Sequence, residues 1–366
     1  MACDFIALAA PGVQKLSPYQ PGKPIEELER ELGLTDIIKL ASNENPLGCS
    51  PRVLLAVEGG LSELALYPDG NGFALKKALA DFYGRPLAEI TLGNGSNDIL
   101  ELVARAFLKP GDEAVFSQHS FAVYPLAVQA VGATGVSVPA VEYGHDLVAM
   151  ARAVAPATRV VFIANPNNPT GTWVEDGELD AFLMTLPEDV LVVLDEAYGE
   201  YVEPGLLPDG LDFLARYPNV IVCRTFSKAY GLAALRIGYA FAHPDITNVL
   251  NRVRQPFNVN ALALRAAVAA LDDQDFVARS RALNAAGMQQ ITEGVRALGL
   301  DVIPSRGNFL CVHLRRPGLP VYEALLRQGV IVRPVANYGL PDFLRVTIGT
   351  EAENARFLAA LKTVLA

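Results

Sequence analysis

The sequence predicts an α/β protein, with a large domain in which helices cover a mostly parallel sheet and a smaller α+β domain. Two observations support this prediction. Apolar runs such as Val160–Ile163 and Val190–Leu194 do not alternate with polar residues, which is typical of strands buried on both faces. Helical and strand patterns also alternate from about residue 69 to about residue 244, as βαβ units require, and the order changes beyond that point.

The chain before residue 69 predicts little regular structure. Up to Pro24 it is rich in proline, glycine and polar residues, so we expect an irregular arm. A short helix is predicted from Ile25 to Gly33, because glycine commonly ends a helix. Ser50 and Pro51 predict the N-cap and the first residue of the next helix.

The alternating region predicts helices from Gly72 to Tyr83 and from Ser96 to Phe107. Short segments rich in apolar residues predict the strands Glu89–Leu92, Ala114–Ser117, Thr134–Val138, Val160–Ala164, Leu191–Leu194, Val220–Arg224 and Ile237–Ala242. Open sheets of this kind bind ligands at the carboxyl ends of their strands. The residues that follow these strands are therefore the first candidates for a functional site.

Beyond residue 244 the pattern predicts a separate α+β unit. Its predicted elements are a long helix from about Asp272 to Leu298, the strands Phe309–Leu314, Gly329–Arg333 and Phe343–Ile348, and the helices Val321–Gln328 and Glu351–Leu365. We therefore divide the chain into residues 1–45 (the arm and part of the small domain), 46–250 (the large domain) and 251–366 (the small domain).

Composition indicates a soluble cytoplasmic protein. The net charge of −10 argues against a nucleic-acid partner, which requires a basic surface. The four cysteines and four histidines are scattered, so we expect reduced thiols and no metal site. No apolar run reaches the 18 residues of a membrane span, and the N-terminus lacks the pattern of a signal peptide.

The most informative motif is Ser227-Lys228-Ala229-Tyr230-Gly231-Leu232, with Arg236 eight positions after Lys228. A lysine in apolar surroundings can form an imine with an aldehyde, and a hydroxyl and a guanidinium can hold a phosphate. These residue types match the needs of a pyridoxal phosphate pocket. Taken alone, the motif is about equally compatible with a surface lysine and an unrelated arginine.

Two upstream motifs follow buried strands. Asn165 to Gly171 consists mainly of turn-forming residues, which allows a simple turn but also a rigid loop that directs the Asn168 amide at a ligand. Asp195 ends the next apolar run, and Tyr198 lies three residues later. Instead of forming a solvated acidic loop, Asp195 could keep a pyridine nitrogen protonated while Tyr198 and Asn168 contact a phenolate oxygen.

Three further residues are candidates for cofactor contacts. Ser96 and Asn97 open a helix after a strand, where backbone N–H groups favour phosphate, although Ser and Asn are also ordinary N-terminal residues. Phe121 is predicted to begin a helix. It could stack on a pyridine ring, and it could equally be a core residue.

Together these residues resemble the fold-type I pyridoxal phosphate-dependent aminotransferases, and within them the histidinol-phosphate aminotransferases. The resemblance spans nearly the whole chain. Its markers are Leu16 to Pro24, Ala41 to Pro46, Tyr67-Pro68-Asp69, the loop around Asn168, Asp195 to Tyr198, the Lys228 motif, and Leu344 to Thr350. The departures are small: Ala233-Ala234 stands where the family often has a glycine, Cys49 where proline is common, and Phe121 where some members have tyrosine.

The resemblance implies a role for each candidate. Lys228 would bind pyridoxal 5′-phosphate covalently and move the substrate proton, Asp195 would pair with the pyridine nitrogen, and Asn168 and Tyr198 would hold the phenolate oxygen. The cofactor phosphate would be held by Ser96, Asn97, Ser227 and Arg236, and Tyr67 would reach the phosphate of the neighbouring subunit in a homodimer. Arg345 would bind the α-carboxylate of glutamate, and Arg333 with Tyr19 the phosphate of histidinol phosphate. For both arginines, a surface salt bridge is the alternative.

The implied reaction is transamination between L-histidinol phosphate and 2-oxoglutarate, with imidazole-acetol phosphate and glutamate as the other pair, in histidine biosynthesis. The first alternative is an aromatic aminotransferase acting on phenylalanine or tyrosine. A decarboxylase of an amino acid phosphate and a pyridoxal phosphate-sensing regulator are further alternatives. The regulator is the weakest of them, because the arm of about 24 residues is too short to hold a helix-turn-helix module.

Overall fold

Thirteen strands form three sheets in the computed structural model, which describes residues 3–366. The part of the predicted arm at residues 1 and 2 lies outside the described residues. In chain order the strands are β1 Ile38–Lys39, β2 Ile90–Gly93, β3 Glu113–Ser117, β4 Thr134–Val138, β5 Thr158–Ala164, β6 Leu191–Asp195, β7 Val220–Thr225, β8 Gly238–Ala242, β9 Asp301–Ile303, β10 Phe309–His313, β11 Val330–Ile331, β12 Arg333–Pro334 and β13 Phe343–Thr347.

Helices connect most of these strands. In chain order they are α1 Phe5–Leu8, α2 Pro11–Gln14, α3 Ile25–Leu32, α4 Pro51–Glu58, α5 Phe73–Tyr83, α6 Ser96–Phe107, α7 Val123–Ala130, α8 Leu147–Ala153, α9 Asp176–Thr185, α10 Gly210–Phe213, α11 Pro244–Val253, α12 Ala261–Leu271, α13 Gln274–Ala297, α14 Gly318–Arg327 and α15 Glu351–Leu365. No helix within residues 3–366 combines the length and apolar character needed to cross a membrane.

The largest sheet has seven strands in the order β2-β8-β7-β6-β5-β3-β4. All neighbours in it run parallel except β8, which is antiparallel to both β2 and β7. The predicted mostly parallel sheet is therefore confirmed. Its parallel strands β5, β6 and β7 end at one edge, so the loops after Ala164, Asp195 and Thr225 lie side by side.

Both faces of this sheet are covered, which explains the apolar runs without alternation. On β5, Val161 and Ile163 belong to one hydrophobic core, while Val160 and Phe162 belong to the core on the opposite face. Consecutive side chains of a strand point to opposite faces, so a strand between two cores needs apolar residues at every position.

The smaller unit is built on a four-stranded antiparallel sheet in the order β12-β13-β10-β9, with α13, α14 and α15 packed beside it. Strand β1, which follows the N-terminal arm, pairs in parallel with β11. The predicted smaller α+β unit is present, and the residue boundary at 250 stays a prediction. Helix α12 lies beyond that boundary but packs against α4 and α5, with Ala263 and Ala267 in the core of the large sheet.

Some predicted elements were wrong in detail. The strand predicted from Gly329 to Arg333 is interrupted at Val332, and its halves belong to different sheets. Pro334 has no N–H to donate, which helps to keep β12 to two residues. The arm is not wholly irregular: the Asp4 side chain accepts hydrogen bonds from Ile6 N and Ala7 N and caps α1.

Phe121 does not begin a helix, because α7 starts two residues later at Val123. The Phe121 carbonyl accepts a hydrogen bond from Tyr124 N, which lies three residues on, so the segment forms a turn and not a regular helical repeat. This turn leaves Phe121 facing the pocket at the edge of the large sheet.

Candidate active site

Residues from distant parts of the chain line one cavity of about 190 Å³ at the carboxyl edge of the large sheet. The fold brings together all but one of the predicted site residues: Tyr19, Ser96, Asn97, Phe121, Asn168, Asp195, Tyr198, Ser227, Lys228, Arg236, Arg333 and Arg345 line the cavity. Tyr67 does not line it. This location is the one expected for a ligand of an open α/β sheet.

Lys228 lies in the turn after β7, between buried neighbours. Its ammonium Nζ is 3.3 Å from the carbonyl oxygen of Ser42, to which it donates, and 5.6 Å from the centre of the Tyr198 ring. Burial, together with the positive charge of Arg345, lowers the pKa of Lys228 from its ordinary value of 10.5 to about 8. At this pKa about one amine in ten is neutral at pH 7, far more than for an ordinary lysine, and a nucleophile or a general base must be neutral.

The lowered pKa of Lys228 predicts its reactivity in the cofactor-free protein. The rate of acetylation of Lys228, followed by mass spectrometry, should rise with pH, reach half its maximum near pH 8, where half of the amine is neutral, and level off above about pH 9. Ordinary lysines, with a pKa of about 10.4, continue to gain reactivity well above that pH and supply an internal control. A rate at Lys228 that keeps rising between about pH 9 and 10 would contradict the assigned environment.

Asp195 ends β6 and is buried at the floor of the cavity. Its Oδ2 accepts a hydrogen bond of 2.7 Å from the Tyr124 hydroxyl, and its Oδ1 accepts one of 3.2 Å from Ala197 N. Burial raises the pKa of the Asp195 carboxyl, and these hydrogen bonds act against that effect. A buried carboxylate held in this way is suited to a cationic N–H partner.

Tyr198 and Asn168 present donors to the same region. The Tyr198 hydroxyl accepts a hydrogen bond of 2.9 Å from Asn43 Nδ2, and burial raises its pKa, so it stays protonated and able to donate. Asn168 Oδ1 accepts a hydrogen bond of 2.6 Å from Arg345, which leaves Asn168 Nδ2 as a donor.

Ser96, Asn97, Ser227 and Arg236 form a group at one end of the cavity that we call the phosphate cradle. Arg236 Nη1 donates to Ser227 Oγ at 3.2 Å, and Ser96 is the first residue of helix α6. Gly95, with φ of +82°, brings the chain close to the guanidinium, since an added Cβ would lie 2.5 Å from Arg236 Nη2. Hydroxyls, a guanidinium and a helix N-terminus are the groups that proteins use to bind phosphate.

Arg333 and Arg345 lie directly opposite each other on β12 and β13, and both side chains reach the cavity. They are only 8% and 7% exposed, respectively. Arg333 donates to the Gln20 carbonyl, and its guanidinium lies 5.8 Å from the centre of the Tyr19 ring. These contacts contradict the surface salt bridges that the sequence left open.

Arg345 donates to the Ala41 carbonyl at 2.8 Å as well as to Asn168. Its Nε is buried without a hydrogen-bond partner among residues 3–366. A buried donor without a partner is costly, and an anionic ligand in the cavity would remove that cost.

Tyr67 lies away from this cavity. Its side chain is 83% exposed and stacks on Phe257, with the ring centres 4.7 Å apart. Leu64 and Leu66 are also exposed and line a shallow depression with these two rings.

Sequence reasoning missed two residues that complete the site. Asn43 was part of a marker motif but was given no role, and it holds the Tyr198 hydroxyl. In the sequence Tyr124 has no feature that separates it from an aromatic residue of the core. In the structure its hydroxyl donates the shorter of the two hydrogen bonds to Asp195. The only available signal was the presence of a hydroxyl on an otherwise buried position, because a buried tyrosine hydroxyl usually needs a partner.

Comparison with known proteins shows the class to which this fold and cavity belong. A family model described as aminotransferase class I and II matches residues 35–361, and the chain belongs to this family. It is 66% identical to histidinol-phosphate aminotransferase 2 of Pseudomonas fluorescens (strain Pf0-1), with 100% of both chains covered, and 64% identical to histidinol-phosphate aminotransferase 2 of Pseudomonas aeruginosa, with 99% of both covered. Within that family, the chain is a member of the histidinol-phosphate aminotransferases.

A solved structure supports the same placement. The crystal structure of histidinol-phosphate aminotransferase from Sinorhizobium meliloti, in complex with pyridoxal-5′-phosphate, superposes with a TM-score of 0.91 at 32% identity. The match covers 97% of this chain and 96% of that one. The fold-type I architecture is therefore confirmed over both units.

Proposed function

We propose that this protein is a pyridoxal phosphate-dependent aminotransferase that exchanges the amino group between L-histidinol phosphate and 2-oxoglutarate, in histidine biosynthesis. Imidazole-acetol phosphate and L-glutamate are the other substrate pair. The observation that carries the proposal is the pair of buried arginines, Arg333 and Arg345, which face the cavity in addition to Arg236. Three guanidinium groups match three anionic groups: the cofactor phosphate, the substrate phosphate and the carboxylate of glutamate.

The residues fit pyridoxal phosphate. The phosphate cradle is open because residue 95 is glycine. Arg345, which lines the same cavity, has a buried Nε without a hydrogen-bond partner in the described chain, which supports an anionic ligand beside it. In this proposal the phosphate cradle would hold the cofactor phosphate. Asp195 would hold the ring nitrogen, while Asn168 Nδ2 and the Tyr198 hydroxyl would hold the ring oxygen. Phe121 would pack on the ring, and Lys228 would bind the aldehyde carbon. Bound pyridoxal phosphate supplies an electron sink for negative charge at the α-carbon of the amino substrate.

The protein itself performs the proton transfers. Lys228 Nζ would become free to act as a base once the amino group of the substrate has taken its place at the aldehyde carbon. It would then remove the proton from the α-carbon of the amino substrate, and the resulting ammonium would deliver that proton to the former aldehyde carbon. The negative charge of Asp195 would keep the ring nitrogen of pyridoxal phosphate protonated. Arg345 binds the substrate carboxylate and orients the α-hydrogen, while Arg333 with Tyr19 binds the phosphate of histidinol phosphate.

We also propose that the enzyme is a cytoplasmic homodimer in which Tyr67 contacts the cofactor phosphate of the neighbouring subunit. The exposure of Tyr67, Phe257, Leu64 and Leu66 on one surface supports burial of that surface by a second copy. The four cysteines are all free thiols, which suits a reducing compartment.

A substitution of Arg333 tests the substrate assignment. Arg333→Gln should lower kcat/KM for histidinol phosphate by about 10- to 100-fold, since a charge-assisted contact to its phosphate is lost. The half-reaction with glutamate should change little, because Arg345 remains. Equal losses with both substrates would remove the support for a phosphate site at Arg333. The aromatic alternative predicts no such split, because phenylalanine and tyrosine carry no phosphate for Arg333 to bind.

A further inference from the structure

Asn258 lies in the segment between α11 and α12 and does not line the active-site cavity. Its Nδ2 nevertheless donates to Asp98 Oδ2 at 2.7 Å and to the Leu92 carbonyl at 3.2 Å. Asp98 is in the first turn of α6, and its Oδ2 also accepts a hydrogen bond of 2.8 Å from Asn94 N. Asn258 thus joins both sides of the loop from which Ser96 and Asn97 emerge.

The amide of Asn258 is itself held in place. Arg254 Nη1 donates to Asn258 Oδ1 at 2.7 Å, and Arg254 Nη2 donates to the Gly70 carbonyl at 3.0 Å. With Oδ1 accepting from Arg254, the amide can present only its NH₂ group to Asp98 and Leu92. The orientation of this donor is therefore fixed by its neighbours.

The same segment reaches the other side of the phosphate cradle. Asn260 Nδ2 donates to the Leu235 carbonyl at 3.1 Å, and Leu235 immediately precedes Arg236. Arg236 has φ of +56°, an unusual left-handed backbone for a residue other than glycine, so its turn needs support from its surroundings. Asn258 and Asn260 therefore connect both parts of the phosphate cradle, the start of α6 and the turn at Arg236, to the segment between α11 and α12 by hydrogen bonds.

We propose that Asn258 is a positioning residue for the cofactor phosphate, which it does not touch: it sets the start of α6 at the distance from Arg236 that a phosphate requires. The inference rests on the proposed function. Phosphate binding by backbone N–H groups, hydroxyls and a guanidinium depends on their mutual geometry. Loss of Asn258 should therefore weaken the hold on the phosphate and leave the contacts of Lys228, Asp195 and Tyr198 unchanged.

The test compares two probes on the cofactor-free full-length protein: pyridoxal 5′-phosphate and pyridoxal, which lacks the phosphate. Dissociation constants are measured by absorbance titration. Asn258→Ala should raise the constant for pyridoxal 5′-phosphate by about tenfold and change that for pyridoxal by less than about twofold. Asn258→Asp, which places a second carboxylate against Asp98, should have a larger effect of the same kind.

Two further variants separate positioning from a general loss of structure. The double variant Asp98→Asn/Asn258→Asp restores the net charge and a donor–acceptor pair between these two positions, but not the donation to the Leu92 carbonyl. It should therefore recover part of the affinity that Asn258→Asp loses. Asn219→Ala is the matched control, because it removes a buried Asn amide that donates to the Val190 carbonyl at 2.7 Å, next to the opposite end of β7. It should leave the ratio of the two dissociation constants unchanged.

The outcomes are distinguishable. Equal weakening of both probes by Asn258→Ala, an unchanged constant for pyridoxal 5′-phosphate, or no recovery in the double variant would overturn the inference alone. A wild-type protein that binds pyridoxal 5′-phosphate no better than pyridoxal would overturn the proposed cofactor site, and the inference with it.

Discussion

Replacing Lys228 by alanine should abolish transamination, with a loss of at least about 10⁴-fold in kcat. The side chain supplies the only amine that lines the cavity within the described residues, and burial lowers its pKa to about 8. Without it, neither the attachment to the cofactor aldehyde nor the removal of the α-proton has a protein group to perform it.

The Lys228→Ala variant should still bind pyridoxal phosphate, because the phosphate cradle and Asp195 are unaffected. Single-turnover kinetics with glutamate and equilibrium dialysis with the cofactor separate these two properties. Lys77→Ala is the matched control: Lys77 is exposed on α5, pairs with Asp81 and lies outside the cavity, so its loss should leave turnover intact. Normal turnover in Lys228→Ala would disprove the assignment.

The second large effect is expected at Asp195. Asp195→Asn keeps the shape, and its one oxygen can still accept the hydrogen bond from Tyr124. It loses the acceptor for Ala197 N and the negative charge that would keep the ring nitrogen protonated. We expect kcat to fall by about 10²- to 10³-fold, the cost typical of removing one preorganised electrostatic partner. Stopped-flow measurement of the glutamate half-reaction follows the proton transfer from the α-carbon before the product is released.

Tyr124→Phe is the companion variant for Asp195. It removes one of the two hydrogen bonds to the carboxylate and keeps the charge, so its effect should be much smaller than that of Asp195→Asn. If kcat fell equally in the two variants, the charge of Asp195 would not explain its role. The positions of its two oxygen atoms would then be the property on which catalysis depends.

Much of the fold was accessible from the sequence because its strongest signals are local. Apolar runs on β5 and β6 identified strands between two cores, and the residues just after them, Asn168 and Tyr198, met at one edge because parallel strands end together. The Lys228 motif was informative for the same reason: its neighbours are too apolar for an exposed loop.

What the sequence could not supply are contacts between residues far apart in the chain. Asn43 and Tyr198 are 155 positions apart, and Tyr124 and Asp195 are 71 apart, so no periodicity links either pair. The break of the predicted strand at Val332 was equally hidden, because Val330, Ile331 and Val332 form a continuous apolar run. The break becomes visible only in the structure, where β11 pairs with β1 and β12 pairs with β13.

The measurement that tests the central claim most directly is a spectrophotometric half-reaction. The protein loaded with pyridoxal phosphate is mixed separately with L-histidinol phosphate and with L-phenylalanine, and the loss of the absorbance band of the lysine-bound cofactor is followed. We expect half-conversion at a concentration of histidinol phosphate at least about tenfold lower than that of phenylalanine, because only the former offers a phosphate to Arg333. Equal or better conversion with phenylalanine would contradict this account and identify a general aromatic aminotransferase.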